Sequence, residues 1–271
     1  MSAFEIEVPG GFVAGEVAGF GAPVVLIHAG VADRRMWSHV APRLEDGHTV
    51  VRLDLRGFGQ SSVPSAEFRH SDDLLAVLEG LALGPVHVVA ASFGGSVALA
   101  FAASHPAGLR SMVLLAPLLP GHAWSARMHA YSDAEEEALE RGDLDAAVEL
   151  NLEMWVRGPA RDWSNETRAV AADVREQLRV ALTNQPALDE FDLGAEVPVR
   201  DLLEQLDVPA RIVVGLDDVP DFVDIAEELA ERLPDARLTR LPGVGHLIAV
   251  ERPTETAAQV AEFVAEHTGP D

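Results

Sequence analysis

The sequence predicts an α/β architecture, a mostly parallel sheet flanked by helices with an inserted helical cap. Three observations carry that expectation. Short apolar runs alternate with helical periodicity from Val24 to Ala116, the same alternation returns from Arg211 to Glu266, and the stretch between them holds helices without convincing strands. The expected division is a core built from residues 1–117 and 206–271, interrupted by a helical cap (lid) over 118–205.

Taken in order, Phe4 to Val17 reads as an antiparallel edge hairpin turning at Pro9-Gly10-Gly11. Val24 to His28 and His48 to Leu53 read as buried strands opening into loops, with a short helix over Met36 to Arg43 between them. A helix follows over Ser71 to Leu83, capped by Ser71 and stopped by Gly84-Pro85. Val86 to Ala90 is a third strand, Ser92 to Ser104 a small-residue helix ending before Pro106, and Leu109 to Ala116 a fourth strand. Such alternation requires right-handed crossovers and a parallel sheet covered on both faces. In the cap, Ser132 with Glu135 has the spacing of a capping box, Leu144 to Trp155 is periodic, and Glu166 to Thr183 is amphipathic. A segment this long is more than a connection within a sheet, so it should form a helical layer of its own. The core then resumes with strands at Arg211–Gly215 and Ala236–Leu241 and helices at Asp221–Leu233 and Pro253–Glu266.

Composition narrows the chemistry. The 271 residues are 48% hydrophobic and 24% charged, the balance of a folded, enzyme-sized body. There is no cysteine, which removes disulfides, thiolate metal sites and a cysteine nucleophile. Every basic residue is arginine, so Schiff-base chemistry, a pyridoxal anchor and a Walker lysine are excluded as well. A formal net charge of −24 repels nucleic acid and anionic lipid surfaces. No apolar run is long enough for a membrane span, and Met1 to Gly10 carries acids where a signal peptide would carry a basic head, so the expected location is cytoplasmic. The expected partner is a small-molecule substrate, with no nucleic acid and no membrane, and a homodimer is compatible with everything in the sequence.

Three strand ends carry the candidate chemistry. The strand Val86 to Ala90 runs into A-A-S-F-G-G and straight into a helix, the context of a nucleophile elbow with Ser92 at its tip. Small neighbours are needed where strand and helix backbones converge, and Ala90, Gly94 and Gly95 supply them. The Phe93 backbone N–H, at the helix start, would face a developing oxyanion. The strand Arg211 to Gly215 leads into L-D-D, so Asp218 or Asp217 can orient a histidine at the same sheet edge. The strand Ala236 to Leu241 is followed by P-G-V-G-H, which brings His246 there too. Serine, acid and histidine stand in the chain order expected of such a triad.

With these residues in view the chain resembles the α/β-hydrolase family, in its capped serine-nucleophile branch of esterases and lactonases. The resemblance spans nearly the whole length and rests on H-A-G at 28–30, D-L-R-G-F-G-Q-S at 54–61, A-A-S-F-G-G at 90–95 and G-H-L-I-A-V-E-R-P at 245–253. It implies an α/β-hydrolase fold, a second oxyanion N–H from Gly30, a supporting role for His28, and Asp218 as the triad acid. Two positions depart from the family pattern: Ala90 replaces the first glycine of G-x-S-x-G, and Ala29 follows His28 where H-G is usual. Relatives that open epoxides or cleave carbon–halogen bonds carry an aspartate at the elbow, which this chain lacks.

The expected activity is hydrolysis of a carboxylic ester or lactone through an acyl-enzyme on Ser92, with no cofactor and no metal. Trp124, Met128 and Trp155, with Trp163, either line an apolar substrate pocket or pack the cap's own core. Asp54 and Arg56 read as structural, and Arg34 and Arg35 as a solvated pair. Carbon–carbon bond hydrolysis or cofactor-free perhydrolysis would use the same triad, and a ligand sensor on the same fold would keep it with little turnover.

Overall fold

Why a parallel sheet forms is plain from its central strands, which are buried on both faces and read as continuous apolar runs rather than alternating ones. The computed structural model describes residues 1–268. Seven strands make one sheet: β1 (Ser2–Val8), β2 (Gly11–Ile27), β3 (Asp46–Leu53), β4 (Val86–Ala91), β5 (Leu109–Leu115), β6 (Ala210–Gly215) and β7 (Ala236–Leu241). Their order is β1-β2-β4-β5-β6-β7, with β3 also paired to β2. Only the β1–β2 pair is antiparallel; every other pairing is parallel. Every residue of β4 and of β6 is buried.

The amino-terminal reading needs one correction. The hairpin's second strand and the strand at Val24 are a single seventeen-residue β2, whose first half pairs with β1 and whose last residues pair with β4. The chain bends rather than breaks, because Gly19 adopts φ +76° within a run of register shifts against β3.

Helices α1 (His70–Gly80), α2 (Phe93–Ser104), α6 (Pro220–Arg232), α7 (Ile248–Glu251) and α8 (Pro253–His267) belong to the sheet-forming part of the chain. Between β5 and β6 are inserted α3 (Ala126–Glu140), α4 (Leu144–Asn151), a π-helical turn (Leu152–Arg157) and α5 (Asn165–Phe191). Two apolar cores result, one on each face of the sheet; the second joins Val24, Trp37 and Val213 to Trp155, Val174 and Leu178 of the insertion. No helix among the described residues is long and apolar enough to cross a membrane.

Several local boundaries differ from expectation. The helix over Met36–Arg43 is two short 3-10 turns, Arg34–Trp37 and Ala41–Arg43. Ser71 does not cap α1, which starts at His70 behind Arg69 with no side-chain cap. Ser132 lies in the middle of α3; the cap is Ser125, whose hydroxyl accepts from the Met128 N–H at 3.4 Å, while Glu135 binds Tyr131 and Asn151. A capping-box spacing is satisfied by any helix interior with serine and glutamate three apart, so the pattern alone cannot find the true start.

Arg56 and Asp73 tie the loop after β3 to α1. Arg56 Nε donates to Asp73 Oδ2 at 2.9 Å, its Nη1 donates to Pro9 O at 2.8 Å, and the guanidinium lies 4.2 Å from the Phe68 ring centre. Both partners are buried, and burial pushes the Asp73 carboxyl up against the pull of Arg56. Removing only one partner strands the other charge, so Arg56→Met should destabilise the fold by about 3–5 kcal/mol. Urea denaturation measures it, and a loss below about 1 kcal/mol would count against a structural role for this pair.

Candidate active site

The site begins with a backbone conformation. Between β4 and α2, Ser92 sits at φ 50° and ψ −116°, in the left-handed half of the map that non-glycine residues avoid. Three hydrogen bonds hold it: Ser92 N–H donates to Leu115 O at 3.0 Å, and Ser92 O accepts from Gly95 and Leu118 N–H at 2.8 and 2.9 Å. The helix start presses against the end of β2, where a Cβ on Gly94 would lie 2.6 Å from His28 O and 2.8 Å from Ile27 O. Ala90, in the position of the family's first glycine, is fully buried within β4 and paired with both neighbouring strands, so its methyl group fits.

From this turn the Ser92 hydroxyl meets His246. Ser92 Oγ and His246 Nε2 are 2.8 Å apart, and His246 Nδ1 is 2.8 Å from Asp218 Oδ2. Asp218 Oδ1 accepts the Val219 N–H at 2.6 Å, which fixes the carboxylate plane. Of the two candidate acids, Asp218 is the one joined to the histidine; the Asp217 backbone instead bonds Val244 O. Both His246 and Asp218 are buried, with Trp155 and Phe222 ring centres 4.7 and 4.5 Å from the imidazole. Three strand ends, far apart in sequence, thus converge in one hydrogen-bonded relay.

A cavity of about 540 Å3 opens on this relay, lined in part by Gly30, Phe93, Trp124, Met128, Trp155 and Phe222. Among the described residues no hydrogen bond uses the backbone N–H of Phe93 or of Gly30. His28 is a strut: its Nδ1–H donates to Ala29 O at 2.8 Å and its Nε2 accepts the Leu55 N–H at 2.9 Å, while burial keeps it neutral by lowering its pKa. Ala29 therefore does not detach the loop. Trp124, Met128 and Trp155 line the cavity, whereas Trp163 does not and lies instead near the Arg168 guanidinium.

Trp155 is carried by the π-helical turn, and its Nε1–H donates at 3.0 Å to the Tyr131 hydroxyl, itself 2.8 Å from Asn151 Oδ1. Burial and the neighbouring Glu135 keep that phenol protonated. Sequence reasoning missed Phe58, Leu188, Gln185, Asp189, Asp192 and Phe222 in the wall. Phe222 had a signal, since it follows the acid by one helical turn. Phe58 lies in the quoted motif at 54–61, whereas Gln185, Leu188, Asp189 and Asp192 had no signal, because α5 and the residue after it reach the cavity only once the insertion has folded back.

Arginines are held elsewhere. Arg34 is bound to Asp54, and Arg35 donates from Nε to Asp33 at 3.0 Å. Arg161 pairs with Glu251 at 2.7 Å, and Glu251 also accepts the Gly245 N–H beside His246. Asp54 is fully buried and takes the Arg34 and Gln60 N–H groups, each at 2.8 Å, so it and Arg56 are structural.

Residues 22–253 match the family described as alpha/beta hydrolase fold. Pimeloyl-[acyl-carrier protein] methyl ester esterase of Chromobacterium violaceum is 29% identical over 253 residues, covering 92% of this chain and 96% of the relative. A putative 2-succinyl-6-hydroxy-2,4-cyclohexadiene-1-carboxylate synthase of Bacillus subtilis is 25% identical over 260 residues, covering 89% of each. Among solved structures, a thermophilic esterase from Thermogutta terrifontis superposes with a TM-score of 0.80 at 26% identity, covering 99% of this chain and 100% of that one.

Burial around the site sets a pH limit. His70 is pushed down to about 3, first by burial and then by His28 and Arg56, from an ordinary 6.5. Below about 6.5 the unfolded chain takes up protons that folded His28 and His70 refuse, so stability is lost as pH falls. Between pH 7.5 and 5.5, above the carboxylate range, His70 alone should remove roughly 1 kcal/mol. Urea midpoints at the two pH values check this; equal midpoints would mean that these histidines protonate freely in the fold.

Proposed function

Because the chain belongs to the α/β-hydrolase family, we propose that it is a serine hydrolase cleaving a carboxylic ester or lactone through an acyl-enzyme on Ser92. The observation that carries this is the relay Ser92–His246–Asp218, with both links at 2.8 Å. His246 Nε2 takes the Ser92 proton as Oγ attacks the ester carbon, and Asp218 holds the opposite nitrogen protonated and balances the imidazolium that forms. The N–H groups of Phe93 and Gly30 stabilise the tetrahedral oxyanion. His246 then returns the proton to the leaving alcohol oxygen. Water attacks the acyl-enzyme by the same route, giving the free acid and restoring Ser92.

The helices between β5 and β6 act in this reading as a cap that shapes the substrate cavity, with Trp124, Met128 and Trp155 as its apolar contacts. Two of the similar proteins are named as esterases and one as a putative synthase, so the relay alone does not choose the bond. The cavity wall bears on the substrate's charge instead: it is largely aromatic and aliphatic, its charged members are Asp189 and Asp192, and among the described residues no arginine lines it. An uncharged substrate with an apolar portion fits such a wall.

Three measurements test this. Ser92→Ala should abolish covalent labelling by a fluorophosphonate with the fold intact; labelling that persists would place the nucleophile elsewhere. Asp218→Asn should lower kcat by about 10^4, the scale of losing the acid that fixes the histidine tautomer, while Asp217→Asn changes it little. A reversed ranking would move the acid by one position. A neutral ester should also be turned over with a higher kcat/KM than a carboxylate-bearing analogue of equal bulk, and a preference for the anion would contradict the reading of the wall.

A further inference from the structure

Behind the Phe93 ring lies a second cavity, of about 220 Å3, whose wall includes His70, Ser71, Phe93, Val97, Leu118 and Asp192. Phe93, Leu118 and Asp192 also line the cavity that holds Ser92 and His246, so the two chambers adjoin across the Phe93 side chain. The smaller chamber is walled mainly by apolar groups, and against that background two side chains stand out. His70 and Ser71 are 4% and 2% exposed, and neither ring nitrogen of His70 nor the Ser71 hydroxyl has a hydrogen-bond partner among the described residues. The nearest acid is Asp192, with Oδ2 3.7 Å from His70 Nε2, beyond hydrogen-bond reach. The ring is fixed edge-on between Phe68 and Phe93, with centres 4.8 and 5.4 Å away.

Unpaired buried polar atoms are rare because each forfeits its hydration without replacement. Three of them along one apolar chamber beside a nucleophile point to an occupant that supplies the missing bonds. His70 is neutral, being held near 3, so it presents one N–H donor and one bare nitrogen rather than a charge. The Ser71 hydroxyl adds a second donor. The matching group is a neutral oxygen, and the Asp192 carboxylate in the wall repels an anion.

We propose that this chamber is a substrate subsite: an arm of the ester, ending in an uncharged ketone or hydroxyl, passes Phe93 and is hydrogen-bonded by His70 and Ser71. The inference rests on the ester-hydrolase reading. Phe93 then has two roles on one residue, its backbone N–H turned to the oxyanion and its ring dividing the two arms of the site.

The test uses the full-length Ser92→Ala protein, which binds esters without acylation, and esters matched in length. Methyl 5-oxohexanoate is compared with methyl hexanoate for the acyl arm, and 5-oxohexyl acetate with hexyl acetate for the alcohol arm, by ligand-observed NMR. In one of the pairs the keto ester should bind about fivefold to tenfold more tightly, the scale of one well-made neutral hydrogen bond. Adding His70→Phe or Ser71→Ala should bring the two affinities together. Ser71→Ala also guards against misfolding, since its hydroxyl makes no bond: Tm should hold or rise, where a hydroxyl needed by the fold would lower it. Equal affinities in both pairs, or a preference that survives both substitutions, would overturn the subsite and leave a chamber filled by water. Turnover by the wild-type protein separates the two readings. Tighter keto-ester binding with hydrolysis of none of the four esters would remove the hydrolase reading and leave the subsite in place.

Discussion

A serine held at positive φ is the constraint from which the rest of the site follows. Such a backbone costs on the order of 1–3 kcal/mol and persists only where its surroundings leave no alternative. Here the strand before it is buried on both faces, the helix after it is packed against β2, and its own peptide groups are bonded to Leu115, Gly95 and Leu118. Relaxing Ser92 would mean withdrawing α2 from the sheet and losing the apolar contacts of Val97, Leu99 and Phe101. The strain is offset by the core as a whole, and the close approach it requires confines the serine's neighbours, such as Gly94 against His28 O, to small side chains.

The same convergence accounts for the polar groups. His246 and Asp218 are removed from water, so their mutual bond gains strength from the low local dielectric, but each must then have every polar atom met. Val219 N–H completes Asp218, and Ser92 completes His246. Around them the loops are fastened by groups that take no part in the relay: His28 bridges Ala29 and Leu55, and Glu251 receives both Arg161 and the Gly245 N–H. Arg34, read from the sequence as half of a solvated pair, is instead largely buried and bound to Asp54.

The relay was legible in the sequence because each member follows a strand whose pattern is local: an apolar run, then a turn rich in glycine or acid. Parallel topology brings strand ends to one edge whatever lies between them, so Ser92, Asp218 and His246 could be placed together without knowing the insertion. Choosing Asp218 over Asp217 needed the family resemblance, since both lie in the same turn. What was not legible depends on packing between distant segments. Ser125 caps α3 while also bonding Asp221, at 2.7 Å from its N–H and 2.8 Å from its hydroxyl, and that pairing across 96 positions is invisible to a periodicity argument that favoured Ser132. His70 likewise has no motif. Its role depends on Phe93 from the elbow and Asp192 from the end of α5, which are neighbours only in the folded chain.

These two kinds of residue also divide the work. The groups of the relay sit on the sheet edge and are fixed by the core, so their geometry is insensitive to what covers them. The insertion reaches the same point through the Trp155 ring against His246, the Arg161–Glu251 pair that also holds the Gly245 N–H, and the Ser125–Asp221 bonds to the start of α6. Trp155 sits on an irregular, π-helical turn and lines the cavity, and its indole N–H is anchored in turn on Tyr131. A change in the insertion that spares these contacts can therefore reshape the wall without disturbing the relay. Relatives named for ester cleavage and for synthesis both match along most of this chain, and under the proposed function the choice of substrate falls to the insertion and the Phe93 ring rather than to the residues that the sequence made easiest to find.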